Sequence, residues 1–192
     1  MEIILLRHGA TQGNLEKRYI GRTDEPLSME GVLQAQALLS QLPYPTRIFT
    51  SPYLRCRQTV ELAFGRLDYY CVQDLREFDF GRFEGHTADE LAGDAEYRQW
   101  VDGDCQGPCP GGDNQEAFSR RCCEAFASII QQYADCPRMA FVLHGGSIMA
   151  IMERFARPKQ SFYSYHLGNC QYYICRVETA DGQICLTREG EG

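Results

Sequence analysis

Two of the chain's four histidines stand in the same local setting. His8 follows the apolar run Ile3 to Leu6 and Arg7 and precedes Gly9, while His144 follows Met139 to Leu143 and precedes Gly145 and Gly146. Both runs are apolar without alternation, as expected of short strands buried on both faces of a parallel sheet. In open α/β sheets the ligand crevice lies at the carboxyl ends of such strands. For one histidine alone a structural role is the commoner outcome, but the repeated order of strand, histidine and glycine points to a shared site. Arg7 adds a cation that closes a buried strand and must find an anionic partner or solvent at once. Arg55, taken by itself, reads as an exposed helix residue, and Arg57 keeps that reading.

The elements that must position these side chains follow from local pattern. Ser28 is a candidate N-cap for a helix whose Val32, Ala35, Leu38, Leu39 and Leu42 share a face until Pro43 and Pro45 end it. Residues 47–50 and 69–72 read as strands, and Ser51-Pro52 as the cap and first turn of a helix with Leu54, Thr59, Leu62 and Ala63 on its buried face. Residues 103–112 have loop composition. Asp113 is the candidate cap of the long helix after it, with Phe118, Cys122, Ala125, Phe126, Ile129, Ile130 and Tyr133 as its buried stripe. Residues 147–155 read as a helix, and residues 171–177 and 183–187 as antiparallel edge candidates. Strands alternating with helices predict an α/β fold, a three-layer α/β/α sandwich around a mostly parallel central sheet. One domain over residues 1–192 is expected, with a lid or insert at about 78–112.

The opening Arg7-His8-Gly9-Ala10-Thr11-Gln12-Gly13-Asn14 resembles the signature of the histidine phosphatase superfamily, the phosphoglycerate-mutase-like enzymes. Further stretches match in family order: residues 21–28, 51–59, 75–77, 81–85, 110–112 and 144–146. The resemblance implies that His8 is the nucleophile and passes through a phosphohistidine. It implies that Arg7, Arg55 and His144 bind the phosphoryl group, with Asn14, Gly21 and Gly145 as further phosphate or substrate contacts, and that Glu77 donates and later accepts the proton. A glutamate starts near 4.3, so that role needs an upward shift, for which Phe78 and Phe80 are candidate apolar walls. Glu84, in Gly-x-x-Glu-Gly, is similar to a structural loop of the family. The resemblance implies neither metal nor other cofactor, so arginine forks and backbone donors must neutralise the phosphoryl charge.

Composition limits the partners. Lys and Arg number 19 against 26 Asp and Glu, a net charge of −7, which argues against a nucleic-acid binder. The early apolar run is far too short for a signal peptide or membrane span, so a cytoplasmic protein with reduced thiols is expected. Cys71, Cys170, Cys175 and Cys185 sit in apolar surroundings, and Cys105 and Cys109 have a zinc-like spacing that no second pair or histidine completes. The expected partner is a small-molecule phosphate ester, with neither nucleic acid nor membrane, and the protein a monomer or homodimer. Residues 86–104 hold only Arg98 where the family's mutases carry paired arginines, which favours hydrolysis. Residues 18–27 most resemble members acting on α-ribazole 5′-phosphate in cobalamin synthesis. Phosphoglycerate mutase, broad-specificity sugar-phosphate phosphatase and a phosphate-binding pseudoenzyme are the alternatives. A fall in activity through pH 6 to 7 would first implicate His8 or His144.

Overall fold

The structure is a computed structural model that describes residues 1–65, 68–105, 107–180 and 183–192. In chain order its elements are β1 (Glu2–Arg7), α1 (Gln12–Leu15), α2 (Met29–Ala37), β2 (Arg47–Thr50), α3 (Leu54–Phe64), β3 (Tyr69–Cys71), α4 (Ala88–Leu91), α5 (Ala95–Asp102), α6 (Gln115–Gln132), β4 (Arg138–Leu143), α7 (Gly145–Phe155), β5 (Tyr172–Ala180) and β6 (Gln183–Glu191). The strands form one sheet in the order β3-β2-β4-β1-β5-β6. The first four are mutually parallel, and β5 and β6 are antiparallel additions. The mostly parallel α/β sheet read from the sequence is therefore the one the chain forms. Only β6 of the two tail strands is an edge, because β5 lies between β1 and β6.

Side chains alternate across β1 and feed two cores. Ile3 and Leu5 pack with Phe126 and Ile130 of α6 and Ile148 and Ile151 of α7. Ile4 and Leu6 face Ala35 of α2 and Val60 and Ala63 of α3 on the other side. A third cluster, outside the sheet, joins Phe78, Phe83, Tyr97 and Trp100 to Phe118 of α6 and Ala150 of α7. Residues 78–112 thus form a small aromatic body beside the carboxyl ends of the strands; residue 106 lies outside the described ones.

Four local expectations change. Asn114, not Asp113, caps α6: its Oδ1 accepts from Glu116 N at 2.9 Å and Ala117 N at 3.2 Å. Asp113 is instead held by Arg121 Nη2 and accepts from Asp79 N at 3.1 Å. The N-cap of α3 is Tyr53, and the carboxylate that accepts from Leu54 N, at 2.6 Å, comes from Asp24. Leu39 is 59% exposed, because α2 has passed into a 3₁₀ turn whose tighter winding rotates it off the buried face. Cys71 is exposed near the end of the edge strand β3 and Cys185 is half-buried, whereas Cys170 and Cys175 are buried as expected.

Candidate active site

Register alone brings the two histidines level. In the parallel β1–β4 pair Arg7 lies opposite Leu143, so His8 and His144 leave the sheet side by side, and His8 N donates to Leu143 O at 3.0 Å. Their ring centroids are 5.1 Å apart at 67°. Strand β2 ends beside them: Ser51, the residue after it, places its hydroxyl 2.7 Å from His144 Nε2. Gly9 and Gly31 allow the chain after β1 to pass against α2, since a Cβ on Gly31 would stand 2.0 Å from Ala10 O. Thr59 of α3 fixes the same turn by accepting from Gly9 N at 3.0 Å while donating to Arg55 O at 2.7 Å.

The tautomer of His8 follows from its partner. Nδ1 lies 2.8 Å from Gly9 O, which can only accept, so Nδ1 carries the proton and Nε2 carries the lone pair. No described residue bonds to that Nε2. Burial, then the charges of Arg55 and Arg7, hold the His8 imidazole well below its ordinary range, against the smaller pull of the Gly9 carbonyl. Burial and then Arg55 do the same for His144. Both shifts favour the neutral rings, and protonation of either is displaced below the ordinary imidazole range.

Stability must follow the same protons. In an unfolded chain both rings titrate near pH 6.5, and above that pH neither state binds the proton, so their full contribution is present. Below it the unfolded chain takes up protons that the folded rings refuse. Stability is then lost as pH falls toward the folded values, by roughly 1 kcal/mol per pH unit for each ring. Urea midpoints of the wild type should fall between about pH 6.5 and pH 5, and less steeply in His8→Asn. Parallel curves would show that His8 is not held neutral.

Among the described residues, neither Arg7 nor Arg55 has a carboxylate in ion-pair contact. Arg55 is fully buried, contrary to its isolated reading, and donates to Thr23 O at 2.7 Å and Gly21 O at 2.8 Å. Arg7 donates to Leu167 O at 2.5 Å and lies 3.4 Å from His166 Nε2. The Nε of Arg7 and that of Arg55 are buried, and neither has a hydrogen-bond partner among the described residues. Gly145 opens α7 beside Arg7, where a Cβ would stand 3.6 Å from the guanidinium carbon. The site therefore gathers cationic and helix N-terminal donors with no anion to neutralise them fully, the environment a phosphoryl dianion requires.

Glu77 lies on the other side of this group. Its carboxylate accepts from Phe78 N at 2.8 Å and from Gly146 N at 2.9 Å. Gly146 must lack a side chain there, because a Cβ would stand 2.4 Å from Glu77 Oε1. Burial pushes the Glu77 carboxyl above the ordinary carboxylate range, and those two N–H donors, Arg55 and Arg7 only partly oppose it. Arg121 of α6 holds the preceding turn by donating to Asp74 O at 2.9 Å and Arg76 O at 3.1 Å.

Of the remaining expected residues, Asn14 accepts from Thr11 N at 3.2 Å and Asn169 Nδ2 at 3.1 Å, leaving its own Nδ2 without a described partner. Gly21 holds Arg55 through its carbonyl, and its N–H donates to Glu84 at 3.0 Å. Glu84 also accepts from Arg22 N at 2.8 Å and Thr23 Oγ1 at 2.9 Å, so its carboxylate ties residues 21–23 to residues 80–84. Sequence reasoning missed Thr59 and Asn169, and gave Ser51 a capping role in place of its bond to His144. Asn169 donates to His8 O at 3.0 Å, and the one signal for it in the chain is that residues 167–170 resemble a substrate-facing loop of the family.

A neutral, oriented imidazole, a fully buried and a half-buried arginine, a second histidine and a raised carboxyl at parallel strand ends define a site for handling phosphoryl groups. The model for the histidine phosphatase superfamily (branch 1) matches residues 3–189, and the chain belongs to that family. It is 31% identical over 185 residues, 93% of the chain and 85% of the relative, to a probable phosphoglycerate mutase of Klebsiella pneumoniae. It is 31% identical over 176 residues, 87% of the chain and 86% of the relative, to an adenosylcobalamin/α-ribazole phosphatase of Salmonella typhimurium. Among solved structures, the α-ribazole phosphatase of Shigella flexneri superposes with a TM-score of 0.83 at 25% identity, covering 97% of this chain and 94% of that one. Among the described residues no helix is long and apolar enough to cross a membrane.

Proposed function

We propose that the protein is a phosphomonoesterase that works through a phosphohistidine on His8 and needs no metal. The observation that carries this reading is the bond from His8 Nδ1 to Gly9 O, which leaves the Nε2 lone pair of a neutral ring as the attacking group. Nε2 bonds to phosphorus as the ester oxygen departs, and that oxygen takes the proton of Glu77. Water then attacks the phosphohistidine, its proton passes to the Glu77 carboxylate, and inorganic phosphate leaves His8. Arg7, Arg55 and His144 hold the phosphoryl oxygens through both displacements, with Asn14 and Gly145 N as further donors. Gly21 acts through Arg55.

Hydrolysis is favoured over phosphoryl transfer to a second sugar hydroxyl because residues 86–104 supply only Arg98, which is exposed on α5. A small phosphorylated metabolite such as α-ribazole 5′-phosphate is the proposed substrate, supported by the Salmonella relative and by residues 18–27.

Glu77→Gln separates this mechanism from simple phosphate binding. In single turnovers, release of an unactivated alkyl alcohol should slow by about 100-fold to 10,000-fold. An activated aryl phosphate, whose leaving group needs no proton, should lose less than about tenfold in its first turnover. Equal losses on both esters would remove Glu77 from the proton-transfer role.

A further inference from the structure

Beyond Glu77 the site opens into a cavity of about 250 Å³ whose wall is unlike the phosphoryl pocket. Phe78, Phe80 and Trp100 come from residues 78–112, Met149 from α7, and Phe162 and Tyr163 from the 3₁₀ turn after α7. Neither arginine nor lysine lines it among the described residues. Its aromatic wall is itself braced: Phe78 and Trp100 are stacked with centroids 6.3 Å apart at 28°, and Phe80 meets Trp100 edge-on at 83°. The wall is thus part of a packed body.

Glu77 lines the same cavity, so an ester oxygen poised to take its proton sends its alcohol half into this space. A carboxylated alcohol such as phosphoglycerate would bury its charge there without a cation. A flat apolar ring would instead displace water from aromatic faces at the offset or edge-on distances those faces favour. We infer that the substrate's alcohol half carries an aromatic ring seated against Phe78, Trp100 and Phe162, and that these residues set specificity. This deepens the phosphomonoesterase reading and rests on it for the orientation of the ester.

Trp100 is the only tryptophan in the chain, so its emission reports on the cavity. Benzylphosphonate, which cannot be hydrolysed as an ester, should change that emission saturably, and methylphosphonate should not. Benzyl phosphate should be hydrolysed with a kcat/KM about tenfold or more above glycerol phosphate. Phe162→Ala, at the half-buried rim, should reduce that ratio about tenfold. Equal kcat/KM for the two esters with no response of Trp100, or an unchanged ratio in Phe162→Ala, would overturn the ring site while leaving the hydrolytic reading standing. Saturable Trp100 emission with benzylphosphonate but no phosphate from either ester would do the reverse.

Discussion

His8→Ala should lower kcat by at least about 10,000-fold, the scale seen when a covalent nucleophile is removed from an otherwise intact site. The loss is that large because the arginines, His144 and Glu77 assist a displacement whose attacking group is gone. Arg7, Arg55 and His144 would still bind a phosphate ester, so the variant should retain affinity for inorganic phosphate while ceasing to turn over. Inorganic phosphate release and phosphate binding, measured on the same preparations, check both halves. Turnover within about 100-fold of wild type would mean that water attacks phosphorus directly.

Arg55→Met should be nearly as damaging, with a loss in kcat/KM of about 1,000-fold. Arg55 is the largest fully buried side chain and spends two N–H groups on Thr23 O and Gly21 O. Its remaining donors and its charge are what a phosphoryl oxygen would meet. Met preserves much of the volume, so the variant should remain folded, and circular dichroism checks that. Arg55→Lys should not recover activity, because one ammonium cannot span two carbonyls and a phosphoryl group in the planar fork. In the wild type, phosphate at 100 times its Kd should raise stability by about 2.7 kcal/mol, and in Arg55→Met most of that gain should vanish. A ligand-induced shift of equal size in both proteins would show that Arg55 does not face the anion.

Much of this arrangement is legible in the chain. The apolar runs before His8 and His144 announce buried parallel strands, and once those strands pair in register the two rings must be neighbours. Glu77 is different: its composition and spacing do not separate it from Glu84, and the family resemblance does. The structure gives the physical distinction. Glu77 is buried against Gly146 N and Phe78 N, while Glu84 ties the backbone at 21–23 to that at 80–84.

What the sequence hides is tertiary. A lone arginine on a helix reads as exposed, and only the return of residues 21–23 over α3 buries Arg55. Asp113 and Asn114 are both competent caps, and the choice between them is made by Arg121, eight residues after Asp113 and on the next helix. Asp24 caps α3 from 30 residues upstream, which leaves the Ser51 hydroxyl for His144. The aromatic cavity draws on Tyr19 and on the stretches 77–80, 100–105, 115–118, 146–149 and 162–163, and no periodic pattern connects them.

The most direct measurement is to mix enzyme with an activated aryl phosphate, quench in alkali, where phosphohistidine survives, and map the phosphoryl adduct by peptide mass. Glu77→Gln, in which hydrolysis of the intermediate should be slowed, provides the larger yield. The adduct is expected on the peptide containing His8 in wild type and in Glu77→Gln, and on no peptide of His8→Ala. Full turnover without an adduct, or an adduct on another residue, would contradict the role of His8 as nucleophile.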